Sequence, residues 1–96
     1  MDLVFEWDPG KARSNLRKHR VSFAEAGSVF SDPLASIFPD EAHSTWDQRE
    51  IIVGRSTSKR LLLVCFKETG KDRVRIISAR GATKGEQHDY EENITG

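Results

Sequence analysis

The sequence predicts an α+β fold, with a small antiparallel sheet that two helices precede and one helix follows. Helix-start signals stand at residues 8–9, 22–25 and 83–86. Between the second and third signals, apolar segments follow one another through hairpin-length connections, which require antiparallel neighbours. The chain has 96 residues, enough for one hydrophobic core, so we expect a single domain over residues 1–96.

The two N-terminal helices have clear boundaries in the sequence. Asp8 is placed to cap the first helix, and Pro9 suits its first position because an N–H there would have no helical acceptor. We expect this helix to end near His19. The second helix should begin after Ser22 and end before Pro33, since proline disfavours a helical residue in front of it. Its predicted buried stripe consists of Phe23, Ala26 and Phe30.

Strands are predicted where bulky and β-branched residues cluster between turn residues. The expected strands are Val4–Trp7, Leu34–Phe38, Arg49–Arg55, Arg60–Lys67 and Asp72–Arg80. The fourth is apolar on both faces and should be central in the sheet. A polar loop covers residues 39–47, and a C-terminal helix of about ten residues opens at Thr83.

Charge is arranged in blocks along the chain. The net charge is zero, from 15 basic and 15 acidic residues, which argues against a protein that coats nucleic acid indiscriminately. Residues 11–20 carry five bases and no acid, residues 49–84 carry ten bases and three acids, and residues 86–92 carry four acids and no base. Basic blocks that line one cleft would create a positive potential despite the neutral total. The alternative is that they are solvated helix and hairpin faces.

The single cysteine and the lack of long apolar stretches predict a cytoplasmic protein. Cys65 lies within an apolar run, where we expect a small buried side chain rather than a nucleophile. A low cysteine count fits a reducing compartment. No apolar stretch approaches the ~18 residues of a membrane span, and the first residues lack the bases of a signal peptide.

Arginines on the predicted sheet are the strongest functional signal. Arg73 and Arg75 alternate with apolar residues and should therefore share one face of their strand. Arg49 and Arg55 end a neighbouring strand, and Arg80 closes the last one. The planar guanidinium fork suits phosphate, so five such residues predict a phosphate-binding surface. The competing interpretation is that edge and strand-end arginines only keep the sheet soluble.

Metal-free cleavage of RNA needs a base for the ribose 2′-hydroxyl, an acid for the leaving 5′-oxygen and cations for the phosphate. The candidate proton carriers are His19, His43, His88 and Glu50. Trp46 and Tyr90 have two readings, stacking on bases or contact with the core or a partner. The histidine spacing fits no metal site and no phosphate-loop pattern exists, so no metal or other cofactor is expected.

Several blocks of sequence, in order through nearly the whole chain, resemble the BrnT family of type II toxins. They are Phe5-Glu6-Trp7-Asp8-Pro9-Gly10-Lys11, Asn15-Leu16-Arg17-Lys18-His19, Val21-Ser22-Phe23-Ala24-Glu25-Ala26, Phe30-Ser31-Asp32-Pro33-Leu34, Arg49-Glu50-Ile51-Ile52-Val53-Gly54-Arg55-Ser56 and Val74-Arg75-Ile76-Ile77-Ser78-Ala79-Arg80. The resemblance implies a RelE-like, metal-independent endoribonuclease. It also implies a DNA-binding antitoxin, BrnA, that covers the active surface, in an assembly of two toxins with two antitoxins.

The resemblance also implies roles for individual residues. Arg55, Arg75 and Arg80 would be catalytic through phosphate binding or transition-state stabilisation, and His19 would transfer a proton. The substrate-binding residues would be Lys18, Arg49 and Arg73. The chain departs from the family at Arg20, where glycine is usual and a left-handed helix cap is expected, and at Gly81 and Gly85, in a region that is usually basic. A non-catalytic module that binds RNA or protein is the alternative function.

Overall fold

The computed structural model describes residues 2–41 and 48–95, in which one strand is followed by two helices, four strands and a third helix. The strands are β1 Val4–Glu6, β2 Ser36–Pro39, β3 Arg49–Arg55, β4 Leu61–Gly70 and β5 Arg73–Gly81. The helices are α1 Pro9–His19, α2 Phe23–Ser28 and α3 Lys84–Thr95, and a 3-10 turn, Val29–Ser31, continues α2. His43 and Trp46 lie outside the described residues.

The sheet is mixed, which makes the prediction of a purely antiparallel sheet wrong. Its strand order is β1-β5-β4-β3-β2, with the apolar β4 at the centre as predicted. Neighbours from β2 to β5 are antiparallel, whereas β1 pairs in parallel with β5 and sets Val4 beside Arg73. The hairpin connections fix the direction of β3, β4 and β5 locally. No local signal fixes the direction of β1, because its partner is at the other end of the sequence.

The helix boundaries confirm the capping signals of the sequence. The Asp8 side chain accepts a hydrogen bond from the Lys11 N–H (2.9 Å), and Ser22 Oγ accepts one from the Glu25 N–H (3.0 Å). Arg20 ends α1 in the left-handed conformation, with φ 59°, and donates its N–H to the Leu16 carbonyl. A non-glycine residue in this region is strained. In this chain the Arg60 guanidinium donates to the Arg20 carbonyl and holds that cap in place.

The main core lies between α1, α2 and one face of the sheet. Phe23 and Ala26 are buried as predicted, but Val29 is fully buried where the sequence analysis placed Phe30. Phe30 is only partly buried and packs its ring against Phe66, with the centroids 4.9 Å apart. The reason is that α2 tightens into the 3-10 turn after Ser28, which rotates the following side chains relative to a continuous α-helix.

A buried amide joins α1 to the sheet. Asn15 is 6% exposed, and its Nδ2 donates to the carbonyls of Ala79 (2.8 Å) and Val21 (3.0 Å). Its Oδ1 accepts a hydrogen bond from the Ala79 N–H (3.1 Å). Because β1 pairs with β5 only as far as Arg75, the amide of Asn15 takes the place of a neighbouring strand at Ala79.

The second face of the sheet is covered only in part. A small cluster of Val53, Leu61 and Tyr90 packs there beneath α3. Tyr90 is the one buried side chain of α3 among those described, residues 84–94. No described helix has the length and apolar character that a membrane span requires.

Candidate functional site

All five arginines that the sequence analysis selected on the sheet lie on its second face, opposite α1 and α2. Val74, Ile76 and Ala79 of β5 and Ile52 of β3 point into the main core. Alternation along each strand therefore turns the arginines to the other side. We call this side the arginine face, and its arginines are Arg49, Arg55, Arg73, Arg75 and Arg80.

Three bases form a row across the middle of the arginine face. Arg49 on β3 is the cross-strand neighbour of Lys67 on β4, and Lys67 is the neighbour of Arg75 on β5. Neighbouring strands lie about 4.8 Å apart, so the row spans roughly 10 Å. Like charges directly opposite one another destabilise a sheet, and a bound anion would offset that cost. Arg49 and Lys67 also interact with protein groups close to them.

Arg75 is the most accessible member of this basic row. Its side chain is exposed, and within residues 2–41 and 48–95 its guanidinium makes no hydrogen bond or ion pair. The nearby Glu6 carboxylate, on the strand beside Arg75, is engaged by Arg73 (3.7 Å) and by the Thr69 hydroxyl (2.8 Å) instead. Arg75 therefore presents an uncompensated guanidinium to solvent next to Lys67.

Arg80 lies about 15 Å from Arg75 along β5 and is held by α3. Its Nη1 and Nη2 donate to the two carboxylate oxygens of Glu86, at 2.8 and 2.9 Å. These hydrogen bonds lower the pKa of Glu86 to about 2, although partial burial opposes the shift. Glu86 also completes the predicted capping box, since it accepts the Thr83 N–H (2.9 Å). Arg80 and Glu86 thus form a bidentate ion pair at the start of α3.

Arg55 and Tyr90 form the other contact between the sheet and α3. The Arg55 guanidinium carbon is 5.7 Å from the centroid of the Tyr90 ring. The Tyr90 hydroxyl donates to Asp32 Oδ2 (2.7 Å), and the Arg55 N–H donates to the same oxygen (2.7 Å). Burial and the Asp32 carboxylate raise the pKa of Tyr90 to about 12. Tyr90 therefore packs in the core and binds Asp32, which favours the core reading of this residue over stacking on bases.

The other predicted site residues lie away from the basic row. Lys18 and His19 are exposed in the last turn of α1, a helix that packs on the opposite face of the sheet. His88 pairs with Glu92 on the exposed side of α3 (3.1 Å). Glu50 is the neighbour of Phe66 and belongs to the helix-covered face. The structure thus brings the arginines together on one face but does not bring His19 or His88 to the basic row; His43 lies outside the described residues.

Sequence reasoning missed a buried acid beside the basic row. Asp40 is 7% exposed, its N–H donates to the Arg49 carbonyl (2.9 Å), and its Oδ2 accepts from the Cys65 thiol (3.5 Å). Burial and the Asp40 carboxylate raise the pKa of Cys65 to about 11, while Arg49 acts in the opposite direction. The thiol therefore stays protonated, as expected for a structural cysteine. The only sequence signal for Asp40 is an acid directly after the proline that ends β2.

Taken together, the arginine face can bind phosphate groups through guanidinium forks and has a carboxylate close to them. Arginine forks hold two phosphate oxygens at once and stay charged at every working pH. A buried acid next to such a fork is able to orient it or to accept a proton from a bound ligand. The geometry fits a nucleic-acid backbone that lies across β3, β4 and β5.

Both the sequence and the fold of this chain are similar to those of known proteins. The family model described as "Ribonuclease toxin, BrnT, of type II toxin-antitoxin system" matches residues 7–86. The fold is similar to the 1.1 Å crystal structure of the Brucella abortus ribonuclease toxin, BrnT, with a TM-score of 0.64 and 28% sequence identity; the match covers 88% of this chain and 99% of that chain. No curated protein sequence matches the chain. Since the family model spans most of its length, the chain belongs to the BrnT family of ribonuclease toxins of type II toxin-antitoxin systems.

Proposed function

We propose that this chain is a metal-independent endoribonuclease that acts across its arginine face. The observation that supports this most directly is the row of Arg49, Lys67 and Arg75 on three adjacent strands. Membership of a ribonuclease toxin family supports the reaction class. A RelE-like fold, one domain over residues 1–96 and a cytoplasmic location stay predictions.

The proposed reaction needs no group that the chain does not supply. A base removes the proton of the ribose 2′-hydroxyl, the 2′-oxygen attacks the adjacent phosphorus, and the 5′-oxygen leaves with a proton from an acid. The products are a 2′,3′-cyclic phosphate and a 5′-hydroxyl. Negative charge grows on the non-bridging oxygens, and one well-placed donor to such charge contributes about 3 to 4 kcal/mol. We assign this role to Arg75, phosphate binding elsewhere along the catalytic face to Arg55 and Arg80, and substrate binding to Lys18, Arg49 and Arg73.

Two residues are candidates for the base that accepts the proton of the 2′-hydroxyl, His19 and Asp40. His19 follows from the family resemblance, but it lies at the end of α1 and would need RNA to wrap around the edge of the sheet at β5 and β1. Asp40 lies next to Arg49 and is better placed for a phosphate on the basic row. Replacement of the base should reduce kcat by about 10² to 10⁴-fold and remove the acidic limb of the pH–rate profile. H19A and D40N, each with its unfolding free energy measured, separate the two assignments.

Cleavage of RNA in the presence of excess EDTA tests the proposal. The purified chain should produce fragments with 2′,3′-cyclic phosphate ends. R75A should cleave RNA at about one-hundredth of the wild-type rate or below. Arg75 is exposed, so its substitution should leave the unfolding free energy unchanged. R13A, which removes an exposed arginine from α1, is the matched control and should retain the wild-type rate.

The outcomes of this assay separate the two candidate functions. A chain that binds RNA but leaves it intact would be the non-catalytic binding module. Cleavage that appears only after magnesium is added would contradict the proposed mechanism. An R75A rate equal to that of wild type would remove the basic row from the catalytic site.

We further propose that a small DNA-binding antitoxin of the BrnA type neutralises the chain by covering the arginine face. Type II systems pair a toxin with a protein antitoxin, and an exposed guanidinium such as Arg75 is a suitable contact for an acidic partner residue. Light scattering of the co-expressed pair should give the mass of two toxins with two antitoxins, and the complex should not cleave RNA. A complex that forms but cleaves RNA at the rate of the free chain would contradict occlusion.

A further inference from the structure

We propose that the part of the arginine face beneath α3 is a second phosphate-binding site, and that Glu86 occupies the place of the phosphate in the free chain. In this arrangement α3 competes with RNA for Arg80. The inference rests on the proposed ribonuclease function and adds a form of self-occlusion to it. Three independent features of α3 support it.

The first feature is the geometry of the contact with Arg80. Both terminal nitrogens of the guanidinium donate to the carboxylate of Glu86, one to each oxygen. A phosphate offers two oxygens to the same fork in the same way. The pair is also reachable from solvent, because the side chains of Arg80 and Glu86 are 39% and 28% exposed. A nucleic-acid phosphate can therefore replace the carboxylate without rearrangement of the sheet.

The second feature is the weak attachment of α3 to the sheet. Tyr90 is its one buried side chain among residues 84–94, and in the cluster beneath it only Val53 and Leu61 are also buried, with three partly buried residues, Ile51, Leu63 and Ala82, at its edge. By contrast, α1 and α2 cover the main core. Besides the Arg80 pair, Tyr90 ties α3 to the rest of the fold through its hydrogen bond to Asp32 and its contact with Arg55. A helix with so little buried apolar surface detaches at a low free-energy cost.

The third feature is the charge of the helix. Residues 84–95 carry four acids, Glu86, Asp89, Glu91 and Glu92, against the single base Lys84. An acidic helix on an arginine-bearing face places negative charge where an RNA backbone would lie. In addition, the match to the ribonuclease family model ends at residue 86. The family pattern thus includes Arg80 and its carboxylate partner but not the remaining turns of α3.

Binding of an RNA that cannot be cleaved tests the inference. The probe is a short oligonucleotide with 2′-O-methyl riboses, titrated against wild type, E86Q and E92Q at a fixed salt concentration. Glutamine can still cap Thr83 through its carbonyl oxygen but carries no charge, so α3 should still form. E86Q should bind about fivefold more tightly, the gain expected when a competing, partly exposed ion pair is removed. E92Q removes the same charge nearly two turns further along α3, where the carboxylate pairs with His88 and not with Arg80, so its gain in affinity should be much smaller than that of E86Q.

Two further variants locate the effect. Y90F removes the hydrogen bond to Asp32 but keeps the ring next to Arg55, and the loosened helix should also give tighter binding than wild type. In an R80A background, E86Q should give no gain, because the phosphate site itself is absent. An affinity of E86Q that is equal to or below that of wild type would overturn the inference and show that Glu86 positions Arg80 for substrate.

The same samples separate this inference from the proposed function. If wild type cleaves ordinary RNA and E86Q gains nothing in affinity, only the inference fails. If E86Q binds more tightly but no variant cleaves RNA, the ribonuclease proposal fails and the site beneath α3 stands as an RNA-binding site.

Discussion

Replacement of Asn15 by alanine should destabilise the fold more than any other substitution of a polar residue in α1. The side chain makes three hydrogen bonds, two with the backbone of Ala79 and one with the carbonyl of Val21. Each contributes about 1 kcal/mol, and the buried groups of Ala79 that lose their partner add about 1 kcal/mol or more. Alanine regains roughly 0.6 kcal/mol through its helix propensity. The expected net loss is therefore about 3 to 4 kcal/mol.

Urea unfolding followed by circular dichroism measures this loss. A chain of this size is stabilised by roughly 5 to 14 kcal/mol, so Asn15→Ala should shift the midpoint strongly yet still leave a measurable folded baseline. Asn93→Ala is the matched control, because Asn93 is an exposed asparagine in α3, and its replacement should change stability by less than about 0.5 kcal/mol. A loss below about 1 kcal/mol for Asn15→Ala would refute the view that its amide replaces a strand beside β5.

Three further predictions concern other parts of the molecule. The hydrogen bonds from Arg80 hold the pKa of Glu86 at about 2, against an ordinary 4.5. The contribution of Glu86 to the free energy of unfolding is therefore complete above pH 4.5 and is lost as the pH falls toward 2. When urea unfolding is measured at a series of acidic pH values, E86Q should lack this loss of stability. A Cβ at Gly54 would lie 2.8 Å from the Cβ of Ala35, so Gly54→Ala should cost about 1 to 3 kcal/mol, whereas Gly81→Ala, which meets nothing within 4 Å, should be nearly neutral. The Cys65 thiol, with its pKa raised to about 11, should react with a thiol reagent at pH 8 only after urea unfolds the chain, and fast labelling of native protein would contradict its burial.

The parts of the fold that depend on neighbouring residues were predictable from the sequence. Asp8, Ser22 and Thr83 each cap a helix through a backbone N–H three residues away, so the signal and its partner lie in the same short window. The hairpins that join β3, β4 and β5 follow from connection length alone. The alternation of Arg73 and Arg75 with core residues likewise predicted a shared face.

The parts that depend on distant partners were not predictable. The direction of β1 is decided by its pairing with β5 at the far end of the chain. The role of Asn15 depends on where β1 stops, and the position of Asp40 depends on how β2 lies against β3. The basic row itself depends on strand register, which includes a shift between Cys65 and Phe66 that keeps Arg75 opposite Lys67. A sequence shows which bases share a face, but only the register shows which of them are neighbours.

The parallel pairing of β1 with β5 has a consequence for how the protein is made. Val4 is synthesised long before its neighbour Arg73. At roughly 5 to 20 residues per second, the first strand waits for several seconds before it can join the sheet. Arg75 of the basic row lies on that same late strand. The basic row is therefore incomplete until β5 has been synthesised and has paired with its neighbouring strands.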